Sequence, residues 1–196
     1  MSNPVLLQNL KTLFNPHTVA VIGASENPDK LGFHVMKSLT SGRFKGTIVP
    51  VNPGAKSVMG LPAVSSIADF SGAIDLAIVV LPAKLVPGIF QECSRKGVKG
   101  IVLISAGFRE IDDSQGTLLQ NTLADLANKA GIPVIGPNTF GMVNLHIDLN
   151  ASFTPEFSWL PKGGIALVSQ SGGISHLMGF MAMRQNAGVS NIVGLG

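Results

Sequence analysis

Two stretches of this 196-residue chain have the residue types and spacing to hold a phosphate group. In the first, an apolar run over Thr18–Ile22 ends at Gly23, the polar loop Ala24, Ser25, Glu26, Asn27 follows, and Gly32 opens a helical pattern. A strand that ends in a glycine turn before a helix aims unpaired backbone N–H groups, and the positive end of a helix dipole, at an anion. The second stretch repeats the theme, with an apolar strand pattern over residues 164–168, the loop Ser169-Gln170-Ser171-Gly172-Gly173, and a helix over 174–185. Hydroxyls and free backbone donors at a helix start suit a phosphate or a transferring phosphoryl group.

Other polar residues have competing readings. Glu110 and Asp112-Asp113, beside Arg109, are either acid–base groups or carboxylates that complement the next helix dipole. Cys93 is the only cysteine, which excludes an internal disulfide, and its helical setting makes it a small core residue. His17 reads as structural or solvated and His34 as a helix-surface residue, while His176 stays open as a phosphate contact. Trp159 reads as an anchor between two domains.

The elements that must position these residues alternate. Strands are expected at residues 18–22, 46–51, 74–81, 98–105 and 132–135, with helices at 4–13, 32–40, 83–96 and 114–130, the last capped by Ser114 and stopped by Gly131. Strand–helix alternation of this length predicts an α/β fold, a doubly wound parallel sheet whose ligand edge lies beyond the strand C-termini. Those ends carry small or turn-forming residues: Gly23, Asn52, Pro82, Ser105 to Gly107, and Gly136 to Asn138. Residues 151–164, with Pro155 and Pro161, break the pattern before a second, unfinished α/β unit, which predicts a fragment of a longer polypeptide.

Composition fits that frame. The chain is 45% hydrophobic with 23 glycines, and its mean hydropathy of +0.39 suits strands buried on both faces. No apolar run reaches membrane-span length, and Met1-Ser2-Asn3-Pro4 lacks a basic segment followed by an apolar one, so a cytoplasmic protein without a membrane partner is expected. A net charge of +3, evenly spread, points away from nucleic acid. An NAD site would want three close glycines and an acidic residue ending the second strand; here Gly23 is followed by Ala24-Ser25 and that strand ends in Asn52.

The runs F-N-P-H-T-V-A-V-I-G-A-S-E-N-P-D-K-L-G (14–32), I-V-P-V-N-P (48–53), D-L-A-I-V-V-L-P (75–82), G-V-K-G-I-V-L-I-S-A-G-F (97–108), G-P-N-T-F-G (136–141), N-A-S-F (150–153) and G-G-I-A-L-V-S-Q-S-G-G (163–173) resemble the NDP-forming acyl-CoA synthetases. That family includes ADP-forming acetate–CoA ligase and the α subunit of succinyl-CoA ligase. The resemblance implies a CoA-binding Rossmann-like domain over residues 1–150, a linker over 151–162, and the start of a succinyl-CoA synthetase-like, flavodoxin-like domain over 163–196. It implies coenzyme A as the ligand, held by Gly23, Ala24, Ser25, Glu26, Asn27 and Gly32 at the phosphates. Asn52-Pro53 leads to Lys56, which is either a phosphate contact or a solvated loop lysine. Val80, Leu81, Pro82, Ser105, Ala106 and Gly107 would line the adenine and pantetheine path, and Pro137 and Asn138 would sit where the thiol emerges. Ser169, Ser171, Gly172 and Gly173 would cradle phosphate or a phosphohistidine. The family's phosphohistidine matches none of His17, His34, His146 or His176, so no catalytic residue and no metal ligand is expected within this stretch, and Thr139 replaces the cysteine of many members. An ATP-grasp domain or β subunit is the implied partner, and the unfinished sheet predicts an oligomer. The implied reaction interconverts acyl-CoA, ADP and phosphate with free acid, CoA and ATP through acyl-phosphate and phosphohistidine intermediates. A second reading is a CoA- or acyl-CoA-sensing regulatory region of a protein lysine acetyltransferase.

Overall fold

A computed structural model describes residues 4–196; Met1 to Asn3, read above as part of a chain start without a leader pattern, lie outside the described residues. The order begins α1 (Pro4–Phe14), β1 (Thr18–Ile22), α2 (Leu31–Ser41) and β2 (Thr47–Val51), then a short hairpin of β3 (Ser57–Val58) and β4 (Leu61–Pro62). It continues with β5 (Leu76–Val79), α3 (Val86–Lys96), β6 (Gly100–Leu103), α4 (Ser114–Ala130) and β7 (Val134–Ile135). The last part is β8 (Gly141–Asn144), β9 (Leu149–Ser152), β10 (Lys162–Ser169), α5 (Gly172–Arg184) and β11 (Val189–Gly194).

The first sheet is parallel, in the order β2-β1-β5-β6-β7. Its strands are apolar on both sides because both sides are covered. Val19 and Val21 of β1 face a core shared with Val35, Met36 and Leu39 of α2, whereas Ala20 and Ile22 face Phe90 and Cys93 of α3 and Leu123 of α4. This is the doubly wound, Rossmann-like α/β arrangement the strand–helix alternation predicts. The chain order reverses between β1 and β5, and such a switch point leaves a crevice at the strand C-termini.

The second sheet has the order β10-β11-β8-β9. β10 and β11 are parallel on either side of α5, while β8 pairs antiparallel with both β11 and β9. Residues from both sides of the 151–162 stretch therefore build one sheet. Sequence patterning missed β8 and β9, and with them the hairpin β3–β4. Asn144, Asn150 and Ser152 are buried polar residues, so these strands carry no apolar run. Specific hydrogen bonds satisfy them: Asn144 donates to the Phe14 carbonyl (2.8 Å), Asn150 to the Thr154 carbonyl (2.9 Å), and Ser152 to Asn150 (2.6 Å).

Two local expectations need correction. The cap of α4 is Asp113, which accepts from the Gly116 N–H at 2.6 Å, not Ser114, the first helical residue. Trp159, expected as an anchor between two domains, is 60% exposed and so is not packed into the core of the described residues. It lies in a 3₁₀ turn over Pro155–Trp159, where three residues per turn place Thr154, Phe157 and Leu160 on the buried side instead.

Candidate functional site

A cavity of about 600 Å³ opens at the C-terminal ends of β1, β2 and β5, at the switch point. Of the residues expected there, Gly23, Ala24, Ser25, Asn52, Val80, Leu81 and Pro82 line it. Glu26, Asn27, Gly32 and Lys56 do not. Its other walls include Ile22, Val51, Pro53 and Ile67, together with residues that were not foreseen: Lys30, the serines Ser65 and Ser66, and Leu85, Ile89 and Glu92. The last three recur at i, i+4 and i+7, so a one-sided stripe running into α3 was the signal available.

Gly23 has φ +96°, and a Cβ there would lie 2.4 Å from the Val80 carbonyl oxygen, so only glycine lets the β1 turn cross the end of β5. Gly32 acts one layer behind. A Cβ at Gly32 would lie 2.0 Å from the Gly23 carbonyl oxygen, so this glycine lets α2 sit directly against the turn. Lys30, the N-cap position of α2, makes no side-chain cap, which leaves the first N–H groups of the helix to the loop or a ligand.

Hydrogen bonds hold the loop in shape. Asn52 donates from Nδ2 to the Ala24 carbonyl (2.8 Å) and accepts from the Gly54 N–H at Oδ1 (2.8 Å). This residue ends the second strand, where an NAD site would place a carboxylate, and here both ends of its amide hold backbone. Glu26 turns away from the cavity to accept from the Met59 N–H in the β3–β4 turn (2.8 Å). Asn27 accepts from the Asp29 N–H (2.9 Å) and donates its own N–H to Ser25 Oγ (3.0 Å). Lys56 is exposed, and its carbonyl accepts from the Ala63 N–H of the hairpin strand region (3.0 Å).

A line of hydrogen bonds leads from this cavity along the sheet edge. Leu81 N–H donates to Ser105 Oγ (3.1 Å) and Asn138 N–H to the Ser105 carbonyl (2.9 Å). Gly136 N–H donates to the Leu195 carbonyl (3.1 Å), and Leu195 N–H to the Ser169 carbonyl (2.9 Å). The ends of β5, β6, β7, β11 and β10 thus share one rim, which gathers most of the expected residues. Ser105 is buried in it, Ala106 and Asn138 are exposed, and the Gly136–Pro137 peptide is cis. Thr139 is buried; its hydroxyl donates to the Gly194 carbonyl (2.7 Å) and accepts from the Gly141 N–H (3.1 Å), so it ties the turn to β11.

A second pocket, of about 310 Å³, lies at this rim between Arg109, Glu110, Gln120, Pro137 and Asn138. Burial pushes the Glu110 carboxyl upward, but N–H donors from Gly107, Glu110 itself and Phe108 outweigh it and hold the group below its usual value. Glu110 therefore braces the Gly107 turn as an anion. Further along, Ser171 caps α5 by accepting from the Ile174 N–H (3.3 Å), and Ser169 Oγ accepts from the Ser171 N–H (3.1 Å). Gly172 and Gly173 form the first turn of α5; nothing lies within 4 Å of a Cβ at Gly172, and only Ser171 Oγ, at 3.8 Å, near one at Gly173.

His176 points elsewhere. Its Nδ1 meets the Gly172 carbonyl (2.7 Å), its Nε2 meets Thr154 Oγ1 (2.6 Å), and its ring lies among Phe140, Phe153, Phe157 and Phe180. Both nitrogens are occupied by protein, which removes it from the phosphate contacts. Cys93 is buried in the core; burial first, and the Glu92 charge second, push its thiol up to about 12, so it stays a neutral packing group. Among the described residues no helix is long and apolar enough to cross a membrane.

Residues 17–144 match the model of a family described as the CoA binding domain. The chain is 40% identical over 187 residues to an ADP-forming acetate–CoA ligase of Methanocaldococcus jannaschii, covering 95% of this chain and 26% of that protein. It is 39% identical to the α subunit of ADP-forming acetate–CoA ligase II of Pyrococcus furiosus, covering 95% of this chain and 40% of that subunit. Among solved structures, the dinucleotide forming acetyl-coenzyme A synthetase 1 of Ca. Korarchaeum cryptofilum, in complex with phosphate and ADP, superposes with a TM-score of 0.89 at 36% identity, over 95% of this chain and 39% of that one. The chain thus spans well under half the length of these relatives.

Proposed function

The chain belongs to the CoA-binding domain family, and from that premise we propose that it is the CoA-binding portion of an ADP-forming acid–CoA ligase. The observation that carries the reading is the cavity at the switch point, whose glycine turn admits no Cβ. Its volume, about 600 Å³, suits the nucleotide half of CoA, since ligand pockets run from about 300 to 1,000 Å³. Gly23, Ala24 and Ser25 would present backbone to the phosphates, with Lys30 and the α2 N-terminus supplying positive charge. Ile22, Val51, Ile67, Val80 and Ile89 would cover the adenine, and Ser66 and Glu92 would offer it polar contacts. The rim from Leu81 through Ser105 to Asn138 would guide the pantetheine arm. CoA supplies the thiol that accepts the acyl group.

The whole protein would carry out acid activation in the cytoplasm together with an ATP-grasp domain or β subunit, as a multi-domain or multi-subunit assembly. The relatives reported above carry ligase names, which favours this reading over a regulatory region of an acetyltransferase. Residues 1–150, 151–162 and 163–196 remain our proposed division into CoA-binding domain, linker and the start of a ligase domain, and Ser169, Ser171, Gly172 and Gly173 our proposed phosphate cradle.

Calorimetric titration of the chain with CoA, and with NAD as the control, tests the proposal. Saturable CoA binding that weakens in Gly23→Ala is expected; binding of NAD without CoA would overturn it.

A further inference from the structure

The β3–β4 hairpin belongs to neither of the two larger sheets and lines no part of the switch-point cavity, yet its turn holds a strained residue. Met59 and Gly60 lie between the paired Val58 and Leu61, with φ of +51° and +77°. Positive φ at both positions defines a tight mirror-image turn, which normally takes Asn, Asp or Gly first. A Met there costs backbone energy and persists only where its surroundings fix it. Three contacts do so. Val58 is buried, and Met59 packs against the core that contains Val35, Met36 and Leu39 of α2. Thr40 Oγ1 of α2 lies 3.6 Å from Met59 Sδ. The Met59 N–H, which such a turn leaves outside the strand pairing, donates to Glu26 Oε1 at 2.8 Å.

Glu26 lies in the loop that joins the Gly23 turn to α2. Toward β2 this loop is held by Asn52, through the Ala24 carbonyl (2.8 Å). Within itself it is held by the Asn27 N–H on Ser25 Oγ (3.0 Å) and the Lys30 N–H on the Asn27 carbonyl (3.1 Å). Glu26 adds a tie to a separate unit, 33 residues further along the chain. Met59 thus grips two elements at once: its N–H holds the loop, and its side chain lies against α2.

We infer that Glu26 is a positioning residue, in place of the phosphate contact expected of it. By accepting the Met59 N–H it fixes the loop to the hairpin, and so holds the backbone of Ala24 and Ser25 in the shape that receives a phosphate-bearing ligand. The same bond keeps a negative charge turned toward the hairpin and off the cavity, where it would repel a polyanion. For its ligand this inference rests on the CoA-ligase reading.

The test compares the full 196-residue chain, ¹⁵N-labelled, with Glu26→Ala, Glu26→Asp and Glu26→Gln. The second keeps the charge but is one methylene short of the Met59 N–H; the third keeps the reach and the acceptor without the charge. Nuclear magnetic resonance reads exchange of the Met59 N–H with water and the backbone signals of Ser25 and Asn27. Without ligand, the first two variants are expected to speed that exchange and shift both loop signals, and Glu26→Gln to leave them near the parent. Calorimetry with CoA is expected to show the Kd raised about three- to tenfold in the first two, the worth of one net hydrogen bond, and restored to within about twofold of the parent in Glu26→Gln. By linkage, saturating CoA should slow Met59 exchange in the parent by a similar factor, which a residue that merely supports the fold has no reason to show. Unchanged loop signals in Glu26→Ala, a Kd that holds or falls in that variant, a Kd that Glu26→Gln fails to restore, or faster Met59 exchange on adding CoA overturns the inference. The backbone signals of Ala20 and Ile78, in the core of the first sheet, verify that each variant is folded. A parent chain that fails to bind CoA sinks the ligase reading instead, and the ligand-free exchange and loop signals then decide the tie.

Discussion

Gly32 and Gly88 are both helical glycines, and the same substitution should move stability in opposite directions. At Gly88, near the start of α3, a Cβ meets nothing within 4 Å. Gly88→Ala should therefore stabilise by about 0.5–1 kcal/mol, the helix-interior cost of glycine. At Gly32 the same Cβ lies 2.0 Å from the Gly23 carbonyl oxygen, whereas ordinary contact begins at 3.4 Å, so the first turn of α2 must retreat by about 1.4 Å. The obstacle is backbone that also carries the cavity loop, so it cannot rotate aside. Overpacking costs about 1–3 kcal/mol, and here the upper end applies; subtracting about 1 kcal/mol of regained helix propensity leaves a net loss of about 2 kcal/mol. That is a large fraction of a typical folding stability of about 5–15 kcal/mol. Urea denaturation reads it: the midpoint of Gly32→Ala should fall and that of Gly88→Ala rise, with unchanged m-values. The CoA affinity of Gly32→Ala should fall several-fold, because the helix N-terminus has left the turn, while Gly88→Ala binds normally. A Gly32→Ala protein as stable as its parent would refute the packing argument. A destabilised one with unaltered CoA affinity would refute the role of α2 in binding.

Two further outcomes are expected. Lys30→Ala should weaken CoA binding several-fold and flatten its salt dependence, because the lost contact is a charge on a phosphate, while Lys56→Ala, outside the cavity, changes affinity little; calorimetry at two ionic strengths separates them, and the reverse ranking would restore Lys56. The folded-state carboxyl of Glu110 titrates below its unfolded value, so its stabilisation is fully present above the unfolded value and is lost as pH falls through the folded one. Urea midpoints at neutral pH and in acid should show Glu110→Gln losing less stability on acidification than the parent; an equal loss would place the effect elsewhere.

Much of the first sheet is legible because its strands are unbroken apolar runs ended by Gly, Asn or Pro. Gly23, Asn52 and Val80 to Pro82 line the cavity for the same reason: they are strand ends. Lys30, Ser65, Ser66 and Glu92 escaped because they come from loop and helix segments that only the fold brings beside those ends. Strands β8 and β9 escaped for a different reason. Their buried Asn144, Asn150 and Ser152 look like loop residues until their partners, Phe14, Thr154 and Asn150 itself, are in place. Likewise, Glu26 reads as a loop carboxylate until the Met59 N–H arrives from the hairpin.

The second sheet also sets an order of events during synthesis. All strands of the first sheet lie before Gly136, so its hydrogen bonds can close as soon as that part of the chain is available. The β8–β9 hairpin cannot finish, because its neighbour β11 starts 45 residues after Asn144. At about 5–20 residues per second, a ribosome takes about 2–9 s to supply that strand. A lone two-stranded hairpin is marginal in water, so for those seconds Met142 and Val143 lack the partners that bury them. In that interval α2 is the surface already made that can shelter β9, through Leu39 and Met36 in the core they share with Leu149 and Ala151. The helix that presents its N-terminus to the cavity would thus serve first, along its flank, as the nursery wall of the second sheet.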